Sequence, residues 1–197
     1  MKKMLLITSL LFFSFLNSQE IEDSSKFRNW CYAGGGISFS MGKISYNDFI
    51  NKTNPDESGY EEENVSFRTL SPFLFTQLYG KLFMGEFTIG MDYEKASNSS
   101  LSHFNTAFTA SVRYCRNLND NVILFAGPGV YLETYPSSKK YDGGGIMLSA
   151  GAAFNATETL RIFSIIAATY GYYGVGDESK KIGFRFSAGA GKRVGKF

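Results

Sequence analysis

The chain has 197 residues, of which 20 are basic and 18 acidic, a net charge of +2. That length suits one domain, and so even a charge balance gives no argument for nucleic-acid binding. Beyond the N-terminal segment no run approaches the ~18 consecutive apolar residues of a membrane-spanning helix, which excludes a helical membrane protein.

Residues 1–18 read as a secretory signal peptide. Lys2 and Lys3 are followed by an apolar stretch from Met4 to Leu16, then by Asn17 and Ser18 before Gln19. The stretch is about 13 residues, too short to span a bilayer. No cysteine closes it, since the first is Cys31, so a lipoprotein is not expected. Residues 19–29 are assigned to a short periplasmic segment, and residues 30–197 to a barrel. Removing 1–18 takes away Lys2 and Lys3, leaving 18 basic and 18 acidic residues.

Eight segments follow in which residue character alternates with a period of two. The clearest is the fourth, 104–116, where Phe104, Thr106, Phe108, Ala110, Val112 and Tyr114 alternate with Asn105, Ala107, Thr109, Ser111 and Arg113. One face is too aromatic and aliphatic for water, the other too polar for an ordinary core. Apolar outside and polar inside is the pattern of a membrane-spanning barrel. On that reading the lipid face takes Ala33, Ile37, Phe39 and Met41 from the first segment (30–43), and Val65, Phe67, Phe73 and Phe75 from the second (65–78). The third (82–95) gives Phe83, Phe87, Ile89, Met91 and Tyr93; the fifth (122–134) gives Val122, Leu124, Val130 and Leu132. The sixth (144–155) presents Ile146, Leu148, Ala150, Ala152 and Phe154. The seventh (160–173) presents Leu160, Ile162, Ile166, Ala168, Tyr170 and Tyr172, and the eighth (182–197) opens with Ile182, Phe184, Phe186, Ala188 and Ala190.

The connections alternate in length. The longer ones are 44–64, 96–103, 135–143 and 174–181; the tight ones are 79–81, 117–121 and 156–159. Long and short in alternation is the mark of a barrel with loops on one side and turns on the other, which puts the long loops outside the cell. The fold class expected is therefore all-β: a single eight-stranded antiparallel up-and-down transmembrane β-barrel.

By the same parity the inward face carries Arg68, Glu86, Asp92, Glu94, Arg113, Glu133, Arg161 and Arg185, four cations and four carboxylates. Isolated charges cannot sit in a narrow lumen, whereas a hydrogen-bonded, paired network can. An eight-stranded barrel is only wide enough for its side chains to fill, so a plugged lumen is expected.

The chain at this point resembles the small eight-stranded outer-membrane barrels of Gram-negative bacteria, the OmpA/OmpX-like superfamily. The resemblance covers residues 30–197 and rests on the signal peptide, Gly34-Gly35-Gly36-Ile37-Ser38-Phe39, the turn Asn117-Leu118-Asn119-Asp120-Asn121, Phe125-Ala126-Gly127-Pro128-Gly129, and the terminal Phe197. It implies that Phe197 belongs to the signal read by the barrel-assembly machinery, and that outer-membrane lipids and lipopolysaccharide surround the protein. Phe197 is at an odd position while the eighth segment keeps its apolar residues even through Ala190. Either a bulge near 191–195 shifts the phase, or the last residues leave the ladder.

Chemistry-bearing residues are few. His103, the only histidine, lies near Ser100 and Ser102. A Ser–His pair could serve as nucleophile and base, but a polar loop does not hold the two rigidly, and an ordinary loop histidine is expected. Cys31 and Cys115 fall on non-neighbouring segments with faces inferred as opposite, so two separate thiols are expected although an oxidising periplasm would allow a disulfide. Neither has a second ligand at metal spacing, so no metal and no cofactor is expected. Asp56, Glu57, Glu61, Glu62 and Glu63 form an acidic run in the first loop. Tyr131, Tyr135, Tyr170, Tyr172 and Tyr173 read as an interfacial aromatic girdle. The expected role is non-enzymatic, structural or adhesive, with the four long loops presented to a partner. The alternatives are a small passive channel, a lipid A-modifying barrel enzyme, and a soluble lipocalin-like barrel with the apolar face turned inward.

Overall fold

The computed structural model describes residues 30–50, 59–96, 102–134, 142–173 and 180–196. The signal peptide, the segment 19–29 and Phe197 lie outside these residues. Eight strands make up the described chain: β1 (Trp30–Ile50), β2 (Gly59–Tyr79), β3 (Phe83–Ala96), β4 (Ser102–Asn117), β5 (Val122–Thr134), β6 (Gly143–Asn155), β7 (Leu160–Tyr173) and β8 (Lys180–Lys196). Each pairs antiparallel with its sequence neighbour, and β8 pairs with β1 to close the barrel. Closure removes every free sheet edge, which lets β-structure span lipid.

The ladder is staggered. Trp30 is level with Tyr79, then Met84 and Arg113; Gly127, Ser149, Ala167 and Arg185 continue the row, which returns to β1 at Ser40, ten residues further on. A row perpendicular to the strands therefore climbs toward the loop end by ~1.25 residues per strand, and the strands tilt accordingly.

The period-two pattern sorts as a membrane barrel requires. Large apolar side chains such as Leu74, Met91, Phe104, Ile146 and Leu148 are exposed on the outside. The lumen holds Glu86, Asp92, Glu94, Arg113, Glu133 and Arg161, all buried. The lipocalin-like inversion is thereby overturned.

The turn end is built from local chemistry. Asn119 Oδ1 accepts hydrogen bonds from the backbone N–H groups of Asn121 and Val122, both at 2.9 Å. Thr157 Oγ1 accepts from those of Thr159 (3.3 Å) and Leu160 (3.0 Å). Such Asx and ST turns are why Asn and Thr sit there. The terminal phase question is answered by a bulge: Arg193 is opposite Tyr32 and Gly195 opposite Cys31, leaving Val194 without a partner.

Three expectations need correction. On β2 the faces are reversed: Val65, Phe67 and Phe75 are buried in the lumen and Phe73 half-buried beside them, whereas Arg68, Leu70, Leu74 and Leu78 are exposed outside. The strands also run further into the loops than expected. β1 and β2 stay paired out to Ile50 and Gly59, so Glu61, Glu62 and Glu63 are strand residues; Asp56, Glu57 and all five side chains lie outside the description. His103 is in β4, across from Glu94, and not in a loop. Finally, Tyr131 is 3 % exposed and points inward, so it is no part of a girdle; Tyr170 and Tyr172 are exposed outside.

Candidate functional site

Among the described residues the lumen gathers the buried polar chemistry, and it is layered. At the turn end Tyr32, Phe75, Tyr79, Met84, Cys115, Ile123, Phe125 and Phe163 form a buried cluster, with Phe73 and Trp30 packed against it. Phe75 and Phe163 meet edge to face with ring centres 4.8 Å apart, and Tyr32 and Tyr79 do so at 5.8 Å, the favoured aromatic geometry. The Arg161 guanidinium lies 3.9 Å from the centre of the Tyr32 ring and 3.8 Å from that of Tyr79. Its Nε donates to Asn155 Oδ1 at 2.8 Å. Ring faces are partners for a buried cation where no water reaches it.

Above that cluster stands the Arg113 layer. Arg113 Nη1 lies 2.9 Å from Glu86 Oε1, and its Nε donates to Ser149 Oγ at 2.7 Å. Gln77 donates its amide N–H to the other Glu86 oxygen, and Ser149 Oγ in turn donates to the Gly127 carbonyl at 3.2 Å. Pairing alone would not hold these charges away from water; the added hydrogen bonds replace part of the solvation that burial removes.

The third layer is nearer the loops. Lys181 Nζ bridges Glu94 (2.9 Å) and Glu133 (2.6 Å). Arg185 Nη2 approaches Asp92 at 3.4 Å and Glu133 at 4.0 Å, while its Nε donates to Ser40 Oγ at 3.0 Å. Between the second and third layers lies a cavity of about 30 Å³, bordered by Ser38, Ser71, Thr88, Thr109, Arg113 and Arg185. That is room for two or three waters, at ~10–15 Å³ each.

Of the eight residues expected in this network, Glu86, Asp92, Glu94, Arg113, Glu133, Arg161 and Arg185 face the lumen. Arg68 does not: it is exposed on the outer surface, because β2 turns its odd positions inward. Its place in the charge balance is taken by Lys181, 3 % exposed and missed because the eighth strand was started at residue 182. Extending odd parity by one residue would have found it. Cys31 and Cys115 are both free thiols. Among the described residues no group of three His, Cys, Asp or Glu could hold a metal ion; the His103 side chain lies outside the description.

A closed, tilted, eight-stranded meander with a lipid-compatible exterior and a cross-braced polar interior defines a small transmembrane β-barrel. The fold is that of the eight-stranded outer-membrane proteins. No known family pattern and no curated protein matches the sequence. Among solved structures, the outer membrane protein OprG from Pseudomonas aeruginosa superposes with a TM-score of 0.54 at 11 % identity, covering 85 % of this chain and 96 % of that one. Ail of Yersinia pestis, in a phospholipid bilayer nanodisc, is similar over 81 % of this chain and 99 % of its own, with 16 % identity and a TM-score of 0.37.

Proposed function

We propose that this chain is a non-enzymatic outer-membrane barrel with a plugged lumen, whose task is structural or adhesive and is carried by the loops at its outer end. The observation that carries the proposal is the buried aromatic layer of Tyr32, Phe75, Tyr79, Phe125 and Phe163 across the turn-side half. Any aqueous path entering between the loops ends on these rings. The braced charges above them support the same reading, since opening a path would break ion pairs that burial has left no water to replace. The turn side faces the periplasm, the loop side faces out, and lipopolysaccharide surrounds the outer half.

The test is fractionation and heat-modifiable gel mobility of the expressed protein, then single-channel recording in planar bilayers. The reading expects outer-membrane fractionation, a mobility shift on boiling and no conductance steps. Steady steps would replace it with the passive-channel reading. Altered lipid A in cells that express the chain, restored by His103→Ala, would replace it with a lipid-modifying enzyme.

A further inference from the structure

The correction at Arg68 leaves a basic residue on the lipid-facing surface, and it is not alone there. Four adjacent strands end their outward apolar run with a cation at the loop end: Lys180 beyond Ile182 on β8, Lys43 beyond Met41 on β1, Arg68 beyond Leu70 on β2, and Lys95 beyond Tyr93 on β3. All four are exposed. Among the described residues the other four strands carry no such cation; at the same end they present Phe104, Leu132, Ile146 and Tyr172. The outer rim is thus half basic and half apolar.

The stagger of the ladder places the four at one height. Arg68 is directly opposite Lys95, Lys43 lies two residues above the row partner of Arg68, and Lys180 two above the row partner of Lys43. Because rows climb ~1.25 residues per strand toward β3, those two-residue steps in the other direction nearly cancel. The four Cα atoms fall within roughly 4 Å of one plane parallel to the membrane, along an arc of roughly 18 Å. That plane is the boundary of the apolar band, where long basic side chains reach toward headgroups.

Like charges directly across a strand pair are destabilising unless something compensates. Among the described residues no carboxylate pairs with any of the four. The turn end differs: Arg193 and Lys196 lie over the Trp30 ring at 3.7 and 4.5 Å.

We infer that Lys180, Lys43, Arg68 and Lys95 form a binding site for the phosphate groups of an outer-leaflet lipid, with the acyl chains lying against the apolar surface below. An arc of that width exceeds one phosphate and fits a headgroup that bears more than one. This rests on the membrane-embedded, loops-outward reading above.

The experiment uses the full chain folded into phosphatidylcholine vesicles doped with diphosphorylated lipid A or with its dephosphorylated counterpart, and counts lipid A retained on the extracted protein by native mass spectrometry. The expected result is retention of the diphosphorylated form only. Replacing all four cations with Gln should cut it about tenfold or more, while Arg116→Gln with Lys192→Gln at the turn end leaves it unchanged. Heat-modifiable mobility verifies that each variant is folded. Equal retention of both lipids, undiminished retention by the four-Gln variant, or displacement by millimolar inorganic phosphate would overturn the site while leaving the barrel intact. So would a cross-linked second copy covering the four cations. Failure of the unaltered chain to insert into vesicles would instead overturn the membrane reading itself.

Discussion

Lys181→Met tests whether the lumen charges are a mutually dependent set. Lys181 sits between two carboxylates, at 2.9 Å from Glu94 and 2.6 Å from Glu133, and all three side chains are about 4 % exposed. Methionine fills similar volume without charge. Glu133 then keeps only the 4.0 Å approach of Arg185, which also serves Asp92. Removing one partner of a buried pair costs about 3–5 kcal/mol, because the other charge stays buried. That lowers the folding equilibrium constant by roughly two to four orders of magnitude. The assay is urea unfolding in vesicles followed by the fluorescence of Trp30, the only tryptophan, at the opposite end of the barrel, so that it reports global unfolding. The decisive companion is Lys181→Met with Glu94→Gln, which leaves Glu133 to Arg185 and restores equal numbers of lumen cations and carboxylates. It should recover most of the loss, giving a coupling of about 2–3 kcal/mol. A single variant within 1 kcal/mol of the unaltered protein, or a double variant as unstable as both losses summed, would refute the reasoning.

Phe163→Ala should cost about 3–5 kcal/mol in the same unfolding assay, since the ring is 2 % exposed and a cavity would remain in the buried aromatic cluster. Leu148→Lys, in the middle of β6 on the lipid face, should cost about 2–4 kcal/mol, whereas Arg68→Leu at the edge of the apolar band should change stability by less than ~1 kcal/mol in phosphatidylcholine. A Cβ at Gly171 would come 2.5 Å from the Tyr131 hydroxyl and run into the Gly144 carbonyl; Gly171→Val should therefore destabilise by about 1–3 kcal/mol, read as a lower temperature for the gel-mobility shift. Cys115, buried in the aromatic cluster, should resist maleimide until the barrel unfolds, and intact-mass measurement should find both thiols reduced.

The fold was legible because lipid imposes a sharper alternation than a soluble core does, and on seven of the eight strands the face it assigns to lipid is the outward one. The exception has a physical cause. On β2 both faces are apolar over 67–78: Phe67, Phe73 and Phe75 go inward to the lumen, while Leu70, Leu74 and Leu78 are exposed on the outside. Weighing aromatics over leucines inverted the strand and carried Arg68 inside with it. The polar residues on the odd positions, Thr69, Ser71 and Gln77, all buried, held the missing information. Tyr131 shows the opposite mistake, a residue assigned by type to a girdle although its parity matches that of Glu133.

The partners within the lumen were not legible at all, and geometry explains why. Cross-strand neighbours follow from register, yet the ion pairs near the loops join strands that never touch: Lys181 on β8 reaches Glu94 on β3 and Glu133 on β5, and Arg185 on β8 reaches Asp92 on β3. These contacts span the barrel across its interior, so they depend on strand number and stagger together. A change of either would move every one of them out of reach while leaving the alternation along each strand intact. The eight-stranded, ten-residue stagger and the charge network are in that sense one specification: the pairs brace the barrel at the width that lets them form.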